Sequence, residues 1–175
     1  MIQIFINNLV ELDTRFSSKI FYLNGRKTID AIMRFSSFIG NGYFYPLIGL
    51  MIYFLAPFNR FTVILTVITA FLIELPIQKL VKITLKRKRP CQHISGIYNL
   101  VKLPDDFSFP SGHTAGACIL TVILSYYYPF LLIPGISFCI LMGISRIYNG
   151  VHYVSDVLCG AGLGVICSYT SLLII

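Results

Sequence analysis

From residue 43 onward the chain is a series of apolar runs separated by short polar breaks, at 43–58, 61–81, 114–128, 130–144 and 153–175. A helix needs roughly 20 apolar residues to cross ~30 Å of hydrocarbon, so the pattern predicts five membrane-spanning helices. The runs at 43–58 and 114–128 are short and must recruit flanking residues or tilt, and 130–144 continues to Ile147. The first 41 residues follow another pattern. In MIQIFINNLVELDTRF, apolar Ile2, Ile4, Phe5, Leu9, Val10 and Leu12 are interspersed with Asn7, Asn8, Glu11 and Asp13, as in a helix lying on or partly in the membrane surface. With no positive first region, this stretch does not read as a cleavable signal peptide. Residues 1–41 are expected to form an interfacial pair of helices broken at Asn24-Gly25, a sixth span being the alternative.

The expected fold is therefore all-α, an integral membrane helical bundle of about five transmembrane helices plus N-terminal interfacial helices, with a six-helix core. It is read as one domain, 1–41 interfacial or partly spanning and 42–175 forming the transmembrane bundle. Composition agrees: 56% of residues are hydrophobic, 12% are charged and the mean hydropathy is +0.78, outside the range of ordinary soluble domains. The five cysteines, at 91, 118, 139, 159 and 167, are odd in number and contain no C-x-x-C pair, so they read as packing residues rather than disulfides or a zinc site. Clusters such as Tyr43, Phe44, Tyr45 and Tyr126, Tyr127, Tyr128 suit interfacial belts.

Charge changes the picture by its placement. Threading five spans puts 1–42, 82–113 and 145–152 on one membrane face, and 13 of the 14 basic residues lie there or at its border, Arg60 being the exception. The positive-inside rule accounts for Arg15, Lys19, Arg26, Lys27, Arg34, Lys86, Arg87 and Lys88. No aromatic-interleaved basic stripe points to nucleic acid.

Three segments carrying chemistry meet on that face. KITLKRKRP sets Lys82 at a helix exit and Arg89 seven residues on, with Pro90 barring simple continuation of the helix. In FPSGH, Ser111 can cap a helix beginning near Gly112, whose free N–H groups form an anion site that the glycine lets an anion approach closely. In SRIYNGVHYVSD, Ser145 and Arg146 close one span, Asn149-Gly150 turn, and His152 and Asp156 share one face of the next helix at i,i+4. A carboxylate so placed can hold one imidazole nitrogen as N–H and leave the other lone pair free to attack. Each piece also has a plain structural account: a tight turn, a pinned helix, a satisfied polar residue. Their joint arrival on one face, with two arginines and a lysine, favours function.

Together, K-x-x-x-x-x-x-R-P (Lys82, Arg89, Pro90), P-S-G-H (Pro110, Ser111, Gly112, His113) and S-R-x-x-x-x-x-H-x-x-x-D (Ser145, Arg146, His152, Asp156) resemble the phosphatidic acid phosphatase type 2 and vanadium haloperoxidase superfamily. The resemblance implies a phosphate ester held by Lys82, Arg89, Arg146 and the Ser111-Gly112 backbone without a metal or other cofactor. It implies that neutral His152 attacks phosphorus to give a phosphohistidine, that Asp156 fixes its tautomer, and that His113 protonates the leaving oxygen and then helps activate water.

The expected function is a membrane lipid phosphatase acting on a phosphate monoester or diphosphate of the phosphatidic acid, phosphatidylglycerophosphate, polyprenyl diphosphate or lipid A class, its partners being that lipid and the bilayer. Lipid-to-lipid phosphotransfer and a non-catalytic anionic-lipid-binding or transport protein are the alternatives. The charge bias predicts a cytoplasmic site, whereas bacterial relatives implied by the resemblance work on the periplasmic side of the inner membrane; the periplasmic face is the expectation adopted. Outside the motifs, Glu74, Gln78 and Lys82 recur every four residues as an inward polar stripe, Glu74 fitting a charge partner, a protonated donor or a substrate contact. His93, Asp105 and Asp106 are expected in solvated loops.

Overall fold

The computed structural model describes residues 2–55, 59–103 and 105–175. The side chains of 2–9 and part of the turn expected near 58–60 lie outside the described residues. Eight α-helices follow in order: α1 Ile2–Phe21, α2 Lys27–Ile39, α3 Phe44–Leu55, α4 Arg60–Leu85, α5 Pro90–His93, α6 Gly112–Tyr127, α7 Leu132–Tyr148 and α8 Val154–Ile174. Among the described residues every regular element is helical. Three stretches among the described residues are long and apolar enough to cross a membrane: Arg60–His93, Pro129–Tyr148 and Val154–Ile174. The other two expected spans, α3 and α6, fall short. At 16 residues, α6 reaches only about 24 Å.

Its position explains how a short helix is accommodated. α6 is the hub, packed against α4, α7 and α8, and its residues from Thr114 to Thr121 are buried without interruption. A helix apolar all round belongs inside a bundle. Ile119 and Ile123 meet Ala70 of α4 in the core, with Val67, Phe71 and Tyr127 around them. Against α8 the approach is close: a Cβ on Gly160 would lie 2.3 Å from the Ser111 carbonyl oxygen, and one on Gly164 2.4 Å from that of Ala115. Glycines four apart on one face let two membrane helices bring their backbones together. Leu72, Leu75, Leu80 and Ile83 of α4 and Ile133, Ile136 and Ile140 of α7 point outward, where a bilayer would cover them.

The N-terminal pair breaks where expected, with Gly25 in the left-handed region at φ +105. α2 packs on α7, and α1 on α7 and α8. α1 also supplies what the start of α8 lacks. The first N–H groups of a helix have no intrahelical acceptor; here the N–H of Val154 donates to Ser17 Oγ (3.1 Å) and that of Ser155 to Asp13 Oδ1 (3.0 Å). The polar residues of α1 thus anchor the helix that carries Asp156.

Candidate active site

Arg89 reaches the site because α4 stops early. Lys86 adopts φ +48 and donates its N–H to the Lys82 carbonyl (2.9 Å), ending the helix four residues before Pro90, which instead opens α5. The chain turns back and buries Arg89 completely. Its guanidinium donates to the Val151 carbonyl (2.9 Å), the Asp105 carbonyl (3.0 Å) and the Asp105 carboxylate (2.6 Å), and Nη1 lies 3.3 Å from His152 Nε2. A guanidinium has only donors, so Nε2 is the acceptor in that contact. The imidazole proton then resides on Nδ1, facing Asp156. The tautomer leaves the Nε2 lone pair on the side of the cations.

His152 is 1% exposed at the turn into α8, held by its N–H to the Arg146 carbonyl (3.3 Å). Burial, then the positive charges of Arg146, Arg89 and Lys82, push its pKa well below the ordinary histidine value, so the ring is neutral at pH 7. The expected His152–Asp156 contact is present as proximity only: Nδ1 is 3.5 Å from Oδ2, and Nδ1 has no hydrogen-bond partner. Asp156 is held by other groups, its Oδ2 accepting the Tyr153 N–H (2.8 Å) and its Oδ1 the Arg87 guanidinium (2.6 Å).

The P-S-G-H segment starts α6 at Gly112 as the sequence predicts, but Ser111 makes no side-chain cap. Its hydroxyl pairs with Thr114 Oγ1 (3.0 Å), while its N–H donates to the Asp156 carbonyl (3.0 Å), tying the start of α6 to that of α8. His113 donates from Nε2 to Asn41 Oδ1 (2.8 Å). Its ring sits where a Cβ on Gly40 would lie, 2.7 Å away, so the end of α2 must be glycine for the histidine to pack there.

Arg146, 1% exposed, bonds through Nη1 to Ser37 of α2, while Nε and Nη2 are buried without a partner. Lys82 meets Asp105 at 2.6 Å. Lys82, Gly112, His113, His152 and Asp105 line one cavity of ≈220 Å³ that continues past Gln78 to Glu74 and Tyr45. Glu74 is 1% exposed, and its Oε1 and the Tyr45 hydroxyl are buried without partners, consistent with the inward polar stripe.

All eight residues singled out from the motifs, Lys82, Arg89, Ser111, Gly112, His113, Arg146, His152 and Asp156, therefore belong to one end of the bundle. The structure also adds groups not singled out. Arg87, expected as a topological charge, bridges Asp156, Ser155 (2.7 Å) and Asp13 (2.6 Å) and stacks over Tyr153 at 4.0 Å. Nothing in the run KRKRP distinguishes it from its neighbours. Ser37 and Asn41 enter from α2 and the turn after it; the buried Ser36-Ser37 pair in an amphipathic helix was the available signal. Asp105, exposed in its loop like Asp106 and His93, does more than the solvated-loop expectation: its carboxylate binds two of the cations. Burial raises the Asp105 pKa, but hydrogen bonds and charge from Lys82 and Arg89 outweigh it and hold the carboxyl below its ordinary value.

An all-helical membrane bundle with buried cations and two histidines converging at one end defines the class: an integral membrane protein with a cluster of cationic side chains buried at one end. A profile of the PAP2 superfamily matches residues 60–175, and the chain belongs to that superfamily. It is 31% identical over 156 residues to the undecaprenyl-diphosphatase of Sulfolobus acidocaldarius, covering 87% of this chain and 74% of the relative. A shorter match, 42% over 72 residues, covers 34% of this chain and 35% of phosphatidylglycerophosphatase B of Bacillus subtilis. Among solved structures, LpxE of Aquifex aeolicus superposes with a TM-score of 0.79 at 27% identity, covering 90% of this chain and 93% of that one.

Proposed function

We propose that the protein is a metal-independent membrane lipid phosphatase that removes a terminal phosphate, from a monoester or diphosphate, through a phosphohistidine on His152. The observation that carries the proposal is the charge inventory of the site. Lys82, Arg89 and Arg146 are buried together with one carboxylate, Asp105, between the first two. Buried charges are costly unless paired, so the positive surplus at Lys82, Arg89 and Arg146, two charges before Glu74 farther along the same cavity is counted, calls for a multiply charged anion. A phosphomonoester near neutral pH carries close to that charge and offers three acceptor oxygens. The unpartnered Nε and Nη2 of Arg146 are a matching pair of donors.

With phosphorus beside His152, the Nε2 lone pair forms an N–P bond as the ester P–O bond breaks in line, and the departing oxygen takes a proton from His113 in its imidazolium form, which the charge of the bound phosphate favours. Lys82, Arg89 and Arg146 stabilise the equatorial oxygens throughout. The imidazolium left on His152 directs its Nδ1–H at Asp156, a contact that tightens as charge develops. Water then attacks phosphorus, giving its proton to His113, and the N–P bond breaks to release phosphate and neutral His152. The names of the relatives, and a cavity running from Lys82 along α4, support a lipid leaving group drawn from the bilayer. We place the site on the periplasmic side of a bacterial inner membrane on the family resemblance alone, against the charge bias; labelling of a cysteine introduced in 92–103 by an impermeant reagent on intact cells tests that side.

The decisive assay is phosphate release by purified protein in detergent with EDTA, across a panel of phosphatidic acid, phosphatidylglycerophosphate, polyprenyl diphosphate and lipid A. Release that survives chelation, is blocked by vanadate and is lost in His152→Ala supports the reading. Undiminished release in that variant removes the nucleophile.

A further inference from the structure

The cation cluster is arranged for a phosphate, yet the structure shows two of its three members already paired with a carboxylate of the chain. Asp105 sets one carboxylate oxygen 2.6 Å from Lys82 Nζ and the other 2.6 Å from Arg89 Nη2, while its backbone carbonyl takes Arg89 Nε at 3.0 Å. A carboxylate bridging a lysine and an arginine at these distances reproduces the contacts of two phosphate oxygens. Asp105 also lines the cavity with His152 and His113. Its side chain is 40% exposed and lies in the stretch joining α5 to α6, so it has somewhere to go; Lys82 and Arg89, at 11% and 0%, do not.

We propose that Asp105 is an internal competitor for the phosphoryl site, and that by weakening all anions alike it keeps the phosphodiesters that surround it in the membrane from filling the site while a terminal phosphate still binds. The inference rests on the phosphatase reading above. A phosphodiester headgroup carries one negative charge and two free oxygens, as the carboxylate does, so exchanging Asp105 for a diester gains little. A terminal phosphate brings nearly a second charge and a third oxygen, which reaches the unpartnered N–H groups of Arg146 as well. Only that ligand displaces Asp105 with a net gain. The problem it answers is one of numbers: bilayer phosphodiesters greatly outnumber any phosphomonoester substrate, and an undefended cluster of three cations would be occupied by them.

The cost is weaker apparent binding of everything. If Asp105 leaves the site open for about 1–10% of the time, apparent affinities are reduced roughly 10- to 100-fold. Asp105→Asn removes the charge and keeps the shape. For the full chain in mixed micelles, Asp105→Asn should lower KM for phosphatidic acid, and Ki for inorganic phosphate and orthovanadate, by a common factor of roughly 10 to 100. Phosphatidylglycerol, a phosphodiester, should change from a spectator into a competitive inhibitor. Asp106→Asn, the same charge change on the exposed neighbour, should move none of these by more than about twofold.

Unchanged or raised KM and Ki in Asp105→Asn, with a reduced kcat, would overturn the proposal and make Asp105 a positioning residue for Arg89. Should that variant not fold, the unaltered protein still decides. Methyl phosphate must inhibit more strongly than dimethyl phosphate, and equal inhibition contradicts the proposal. Protection against thermal unfolding by orthovanadate reads the same competition without turnover. A chain inactive on every lipid phosphate would thus refute the phosphatase reading, while the vanadate shift of Asp105→Asn against wild type still judges this one.

Discussion

Arg87 is the site residue least visible in the sequence, and its removal gives a sharp prediction. Its guanidinium joins Asp156, which is 0% exposed, to Asp13 on α1. Arg87→Met keeps most of the stem over Tyr153 and deletes the charge, leaving Asp156 with the Tyr153 N–H and the Ser108 side chain as support. Removing one partner of a buried ion pair costs about 3–5 kcal/mol, and because Arg87 is 26% exposed the figure here is about 2–4 kcal/mol. For a chain of this size that is a fall in Tm of roughly 5–15 °C, read by thermal unfolding in detergent. Activity should suffer separately. Asp156 already stands 3.5 Å from His152 Nδ1, so a carboxylate released from Arg87 no longer meets the imidazolium as charge develops. A misplacement of about 1 Å costs up to ~10²-fold, and the loss should fall on kcat with KM nearly unchanged. Asp13→Asn is the control: it removes the charge from the other half of the bridge while an amide oxygen can still accept the Ser155 N–H, so Tm should fall while kcat stays within a few-fold. Equal losses of kcat in the two variants, or an Arg87→Met enzyme with wild-type kcat, would refute the claim that Arg87 acts through Asp156.

Other consequences are open to direct measurement. Arg146→Lys keeps the charge but loses the fork of donors; kcat/KM on a lipid phosphate should drop by about 10²–10³, and a value near wild type would mean that Nε and Nη2 do not bind the substrate. Because the folded pKa of His152 is depressed, its neutral form persists below the ordinary value of about 6.5, and the acid limb of kcat/KM assigned to it should lie under that pH. The unfolded chain takes up a proton there that the folded one refuses, so stability present above about pH 6.5 is lost as pH falls, and His152→Gln should flatten that slope in pH-dependent unfolding. Gly160→Ala drives a methyl into the Ser111 carbonyl and should cost about 1–3 kcal/mol together with activity, whereas Gly162→Ala, which meets nothing within 4 Å, should cost neither.

These residues mark where sequence reasoning was sufficient and where it stopped. The start of α6 at Gly112 and the break at Asn24-Gly25 were legible because each depends on a local backbone preference that a few adjacent residues express. Lys82, Arg89, His113, Arg146 and His152 were legible as a group because they fall on helix ends that any alternating threading of the membrane brings to one face. Arg87, Asn41 and Asp105 were not: each acquires its partner through a turn whose direction is set by distant packing, and each looks like an ordinary surface residue in one dimension. The end of α4 shows the same limit, since Pro90 is an obvious stop but the left-handed residue at Lys86 stops the helix first. The spacing of Gly160 and Gly164, by contrast, was present in the sequence as a close-packing signal, and it sets the crossing that ties Ser111 to Asp156.

The central claim is that His152 forms a bond to phosphorus. The most direct measurement is to quench His113→Asn with a phosphate-labelled lipid substrate under alkaline conditions and locate the label by peptide mass spectrometry. With the proton donor gone and water activation slowed, the account predicts phosphate on the His152 ring, stable to base and lost in acid. Label on another residue, or sustained turnover by His152→Ala under the same conditions, would contradict it.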